Sequence, residues 1–154
     1  MSSSDHFFLD KSDPASWRAL NGLALKVAAS AEEAGLSRGV LELVNVRISQ
    51  LNGCAFCLDL HGRRAKQSGV TDQQLTVLPA WREVVVFTEL ERAALAIGEA
   101  ATELGDAASR VAELAAARQQ LTDEQFSALQ WAAVAMNAFN RVSILSRHPV
   151  RPES

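Results

Sequence analysis

The chain has 154 residues, 48% hydrophobic and 21% charged, with a net charge of −3. Such a balance describes a globular protein and excludes intrinsic disorder, and the length suits one domain, residues 1–154, that buries roughly two-thirds of its unfolded surface. It has no basic patch for nucleic acid, and no apolar run approaches the ~18 residues of a membrane span.

The N-terminal stretch carries Asp5, Asp10 and Asp13 and lacks the positive and apolar regions of a signal peptide, so a cytoplasmic protein is expected. Asp13-Pro14 starts a helix, a capping side chain followed by proline at the first helical position. That helix runs to about Glu33, and Gly35 stops it. Ser37 caps a second helix through about Leu51, and Asn52-Gly53 interrupts it. A third begins near Cys54 and ends at Ser68-Gly69. Thr71 to Gln74 reads as a capping box opening a short helix that ends before Pro79. Val84–Phe87 is the one β-like run, too isolated to pair. Thr88 to Glu91 is a second capping box, opening a helix to about Leu104. Asp106 starts another to about Arg118, and Thr122 opens the last, to about Arg147. The expectation is an all-α, single-domain helical bundle of about seven helices, with loose ends at about 1–12 and 148–154.

Both cysteines fall in LNGCAFCLDLHGRRA, residues 51–65. On one helix, Cys57 lies about 60° from Cys54 and His61 only about 20° from it, so all three share a face. A position in the first helical turn exposes the sulfurs to unpaired N–H groups and the positive dipole end, which favours a thiolate. The residues alone leave three readings: buried apolar cysteines, a zinc site completed by a carboxylate, or a reactive dithiol. No second CxxC or HxxxH pair exists to complete a structural zinc site. In a reducing compartment the dithiol is the favoured reading.

Upstream, Glu42, Asn45 and Ser49 recur at helical spacing. By themselves they read as a solvated stripe, with Leu41, Val44 and Ile48 on the buried face. The run Glu42-x11-Cys54-x-x-Cys57-x-x-x-His61 resembles the core motif of the AhpD-like alkylhydroperoxidases, in the carboxymuconolactone decarboxylase superfamily. The flanking LNGC, GRRAKQSGVTDQQL, LPAWREVVVFTELERAALAIGEAATEL and MNAFNR are similar to that family's arrangement, and the likeness covers roughly residues 15–147.

The resemblance implies a helical fold in which two cysteines reduce a hydroperoxide. It makes Cys57 the peroxidatic cysteine, Cys54 the resolving cysteine, and Glu42 with His61 the proton-relay pair. It also turns the Glu42 stripe toward the cysteine helix, with the peroxide site between the two helices. No nucleotide, haem or flavin motif is visible, so no cofactor or metal is expected and an external dithiol, protein or small thiol, must supply electrons. The family also implies a homo-oligomer, a trimer or hexamer. One departure stands out: some members carry a second histidine between the cysteines, where this chain has Phe56. Two other functions remain. One is a redox-responsive regulatory or binding protein without fast turnover. The other is a muconolactone-type decarboxylase, whose representatives typically lack the CxxC pair.

Among the remaining residues, Trp81, Trp131, Phe139, Leu129, Val134, Met136 and Val142 read as packing. Asn137, Asn140 and Arg141 interrupt an apolar helix and are expected to serve a structural role, in the core or at a subunit contact. Gly98 is expected to permit close helix contact. Glu89, Glu91, Glu99 and Glu103 read as a solvated face.

Overall fold

A computed structural model describes residues 5–154. Among these residues the protein is all-helical: α1 (Leu9–Ser12), α2 (Pro14–Glu33), α3 (Arg38–Asn52), α4 (Ala55–Gln67), α5 (Asp72–Val77), a 3₁₀ segment (Leu78–Glu83), α6 (Glu89–Glu103), α7 (Ala107–Arg118) and α8 (Asp123–Ser146). The starts follow their caps. Asp13, Ser37 and Asp106 each accept a hydrogen bond from a first-turn N–H, and Thr71, Thr88 and Thr122 form complete capping boxes. α5 ends at Val77, before Pro79, as expected. Pro79 sits at the start of the 3₁₀ segment, where its missing N–H costs nothing. Val84–Phe87 forms no strand and is irregular.

Helix α3 is the centre of the molecule and packs against α4, α6 and α8. On one flank Val44 and Ile48 meet α6 at Gly98. A Cβ at Gly98 would lie 3.2 Å from Val44 Cγ1, so the glycine sets this close approach. On another flank Leu43 and Val46 join Leu78, Trp81 and Leu95. The third flank is polar: Glu42 and Ser49 are fully buried, and their partners come from α4 and α8. Of the stripe that spacing alone gives as solvated, Glu42 and Ser49 are therefore interior, and Asn45 is half-buried.

Three expectations are corrected. Glu99 is no solvated residue. Its Oε1 accepts from Trp81 Nε1 at 2.7 Å and from Arg47 Nε at 3.0 Å, and Arg82 lies 3.2 Å from Oε2. Burial pushes the Glu99 carboxyl up, but Trp81, Arg47 and Arg82 outweigh it and hold it below its ordinary value. Trp131 and Val134 are more than half exposed, because they face away from α3 while Leu129 and Met136 face it. The stretch 5–12 contains a helical turn that packs on α2 and α8, where Leu9 N–H donates to Ser146 Oγ at 2.9 Å.

Candidate active site at the corner between α3 and α4

The corner is made by two local motifs in succession. Gly53 takes the left-handed conformation, φ 68°, that ends α3. Its N–H and that of Cys54 return to Gln50 and Ser49 carbonyls. Cys54 is then the N-cap of α4 rather than a member of its first turn. Its Sγ accepts from the Cys57 N–H at 3.4 Å. Cys57 occupies the third helical position. Both cysteines are free and buried.

Helix α8 fixes this corner. Asn52 Nδ2 donates to Asn137 Oδ1 and Asn140 Oδ1, both at 2.9 Å, and Asn140 Nδ2 donates to Ser49 Oγ at 3.1 Å. Asn137 and Asn140 thus hold side chains in the last turn of α3, including that of Asn52 two residues from Cys54. Spacing marked them as structural but gave no hint of Asn52, which reads only as a turn residue. Arg141 remains exposed and bonds back to Asn137.

Glu42 and His61 meet across the α3–α4 packing, His61 Nδ1 lying 2.6 Å from Glu42 Oε2. Asn45 Nδ2 also donates to Oε2, at 3.4 Å. Arg38 Nη2 lies 3.0 Å from Oε1 as an ion pair, out of line for a hydrogen bond. Burial pushes the Glu42 carboxyl up. The hydrogen bond and charge of His61, with Arg38 and Asn45, outweigh it and hold the group below its ordinary value of 4.5. With Nδ1 committed to the carboxylate, His61 Nε2 has no protein hydrogen bond among the described residues.

Cys57 and His61, but not Cys54 or Glu42, line a cleft of about 1000 Å³. The expected site between two helices is in fact walled by four. Trp17, Leu25 and Val27 come from α2, Leu41 and Asn45 from α3, Phe56 and Leu60 from α4, and Met136, Phe139 and Ser143 from α8. Arg64 and Arg151 stand at its edge, and Asp10 and His148 also line it.

Burial pushes the Cys54 thiol up to about 12, and its hydrogen bond and charge interaction with Cys57 push the same way. A hydrogen bond from Ser143 and the Cys57 N–H favour its thiolate but do not prevail. The expectation that the helix start favours both thiolates fails for Cys54, because its sulfur lies in the core. Among the described residues no three His, Cys, Asp or Glu side chains converge as metal ligands, and no helix is long and apolar enough to cross a membrane.

Residues 14–100 match the model of the carboxymuconolactone decarboxylase family. An uncharacterized protein of Bacillus subtilis, YdfG, is 33% identical over 113 residues, which is 73% of this chain and 77% of that protein. The alkyl hydroperoxide reductase AhpD of Bradyrhizobium diazoefficiens is 31% identical over 72 residues, spanning 47% of this chain and 38% of its own length. A crystal structure from Agrobacterium tumefaciens, of a protein of unknown function regarded as a candidate AhpD antioxidant defence protein, superimposes with a TM-score of 0.86. It is 29% identical, and the match covers 96% of this chain and 99% of that one. The fold is AhpD-like, and the chain belongs to the carboxymuconolactone decarboxylase family.

Proposed function

We propose that this protein is a thiol-dependent peroxidase that reduces organic hydroperoxides or hydrogen peroxide through a Cys54/Cys57 dithiol–disulfide cycle. One observation carries the reading: Cys57 opens onto the cleft beside His61, while Cys54 sits behind it with its sulfur on the Cys57 N–H. The Cys57 thiolate attacks one peroxide oxygen and becomes a sulfenic acid, and the other oxygen leaves as alkoxide or hydroxide. His61, oriented by Glu42, delivers the proton that makes it alcohol or water. Cys54 then attacks the Cys57 sulfur, releasing water and closing the disulfide. An external dithiol, a protein or a small thiol, returns both cysteines to thiols.

Two buried, free cysteines suit a reducing, cytoplasmic compartment. Exposed Trp131, Val134 and Leu145 on α8 supply an apolar face for assembly into a homo-oligomer, a trimer or hexamer. A second reading, a redox-responsive regulator, is favoured by the Cys54 thiol held up to about 12, which slows disulfide closure.

The test is peroxide consumption with excess dithiol reductant. Cys57→Ser should abolish it, and Cys54→Ser should stop it after one oxidation. Undiminished rates in both variants reject the peroxidase. Rapid disulfide formation with negligible turnover on several reductants selects the regulator.

A further inference from the structure

The cycle leaves one proton without a carrier. Cys54 must lose its thiol proton to attack the Cys57 sulfenic acid, yet it is only 1% exposed and does not line the cleft. A buried thiol in its protonated form is a poor nucleophile, so closure of the disulfide needs a base at that sulfur.

Such a base is assembled from the two ends of the chain. Ser143, itself buried on α8, hydrogen-bonds Cys54. It lies three residues beyond Asn140, on the stretch of α8 whose asparagines clasp Asn52 and Ser49. Ser143 Oγ is 3.1 Å from His148 Nδ1, and His148 Nε2 is 3.0 Å from Asp10 Oδ1.

The backbone is shaped to place this imidazole. Arg147 adopts the left-handed conformation, φ 49°, at the end of α8. The His148 N–H then returns to the Ser143 carbonyl and the Arg147 N–H to that of Ile144, which folds the ring back over the last turn. Phe8 stacks on His148 from one side with centroids 5.9 Å apart, and Phe56 meets it from another at 5.2 Å. The second contact is notable, because Phe56 occupies the position between the cysteines at which some relatives place a histidine.

We propose that Ser143, His148 and Asp10 form a second proton relay, serving Cys54 as the Glu42–His61 pair serves Cys57. The inference rests on the dithiol peroxidase reading above. In the resolving step the Cys54 proton passes to Ser143 Oγ as the serine proton passes to His148 Nδ1. Nε2–H of the ring donates to the Asp10 carboxylate, which holds the accepting tautomer. The Cys54 sulfur forms the bond to Cys57 as the Cys57 S–O bond breaks. The departing hydroxide takes a proton from His61, which solvent in the cleft has recharged since the first step, and leaves as water. Cys54 and Cys57 are thereby oxidised and the peroxide oxygen fully reduced. When the external dithiol reopens the disulfide, His148 returns its proton to Cys54 through Ser143. Ser143 touches the reacting sulfur; His148 and Asp10 act through it as positioning residues.

Single-turnover kinetics with cumene hydroperoxide separate the two relays. The first phase, loss of peroxide, reports Cys57 oxidation. The second, decay of the dimedone-trappable sulfenic acid, reports disulfide closure. His148→Phe and Ser143→Ala should slow the second phase by about tenfold or more, and the first phase, whose cleft both residues line, by far less. Asp10→Asn retains an acceptor for Nε2–H but not the charge, and should slow the second phase by a smaller factor. It also covers the case in which a core variant fails to fold. Closure at the wild-type rate in Asp10→Asn and Ser143→Ala overturns the relay while leaving the peroxidase intact. Equal slowing of both phases marks a merely structural role and overturns it as well. A wild-type protein that forms neither sulfenic acid nor disulfide overturns the peroxidase reading and the relay together.

Discussion

Two carboxylate–imidazole pairs flank the dithiol, and they are built on opposite plans. Glu42 and His61 are 19 residues apart, on two helices that form the middle of the molecule, with the carboxylate fully buried. Asp10 and His148 are 138 residues apart, held by a helical turn and a chain reversal at the rim, with side chains 16% and 14% exposed. The first pair is inseparable from the packing of α3 on α4. The second is laid over a finished bundle. A buried pair couples strongly and is costly to break, whereas a rim pair is screened and can be removed with the fold intact. Variants at the first pair should therefore cost both stability and chemistry, and variants at the second should cost chemistry alone.

The largest expected effect lies in the buried pair. Glu42→Ala should cost about 3 kcal/mol, since it leaves His61 and Arg38 facing a void, and it should slow Cys57 oxidation by about 10²-fold or more. Urea unfolding and the first single-turnover phase measure the two losses separately. If Glu42→Ala leaves the urea midpoint unchanged, the contrast with the rim pair collapses.

Asn140→Ala sharpens the comparison by loosening the corner without touching either pair. It strips partners from Asn52 and Ser49, and a buried polar group left unpaired costs about 1–3 kcal/mol. Both kinetic phases should slow together, in contrast to the uneven effect of His148→Phe.

Acid supplies the next test. Glu42 and Glu99 are both held below the ordinary value of 4.5, so each favours the folded state most when ionised. Their contribution is complete above that value and is lost as pH falls through the lower values they have in the folded protein. Urea midpoints should stay level down to about pH 4.5 and then fall. Glu99→Gln should lower the midpoint at neutral pH and flatten the acid decline, with unchanged rates of thiol oxidation.

The smallest effect belongs to Phe8→Ala, which removes one ring from the face of His148. The loss should be about 1 kcal/mol or less, with the resolving phase a few-fold slower and peroxide loss unaltered. Slowing of peroxide loss instead would tie the rim to the Cys57 chemistry and blur the two plans into one.

The buried pair was partly legible in the sequence and the rim pair was not, and the reasons are physical. Helix starts are local chemistry. Asp13, Ser37, Thr71, Thr88, Asp106 and Thr122 announce themselves because a short side-chain oxygen must meet a first-turn N–H. Cys57 and His61 share α4, so spacing alone puts them on one face, with Cys54 capping the same helix. Glu42 was harder, since a charged residue at helical spacing reads as solvated until a partner is known. Only the family resemblance turned it inward. Asp10 and His148 carry no local signal at all. Their meeting depends on where α1 lands and on a left-handed turn at Arg147, a conformation that sequence assigns to glycine or asparagine. Glu99 likewise reads as solvated in the sequence, because its partners Arg47, Trp81 and Arg82 come from other elements.

The central claim is that the two sulfurs trade a hydroperoxide for a bond between themselves, and intact-mass thiol counting tests it directly. After one equivalent of cumene hydroperoxide the protein should lose two hydrogens and both alkylatable thiols, and prior alkylation or Cys57→Ser should block the change. Retention of both thiols, or a Cys57→Ser variant that closes its disulfide count like the wild type, would contradict it.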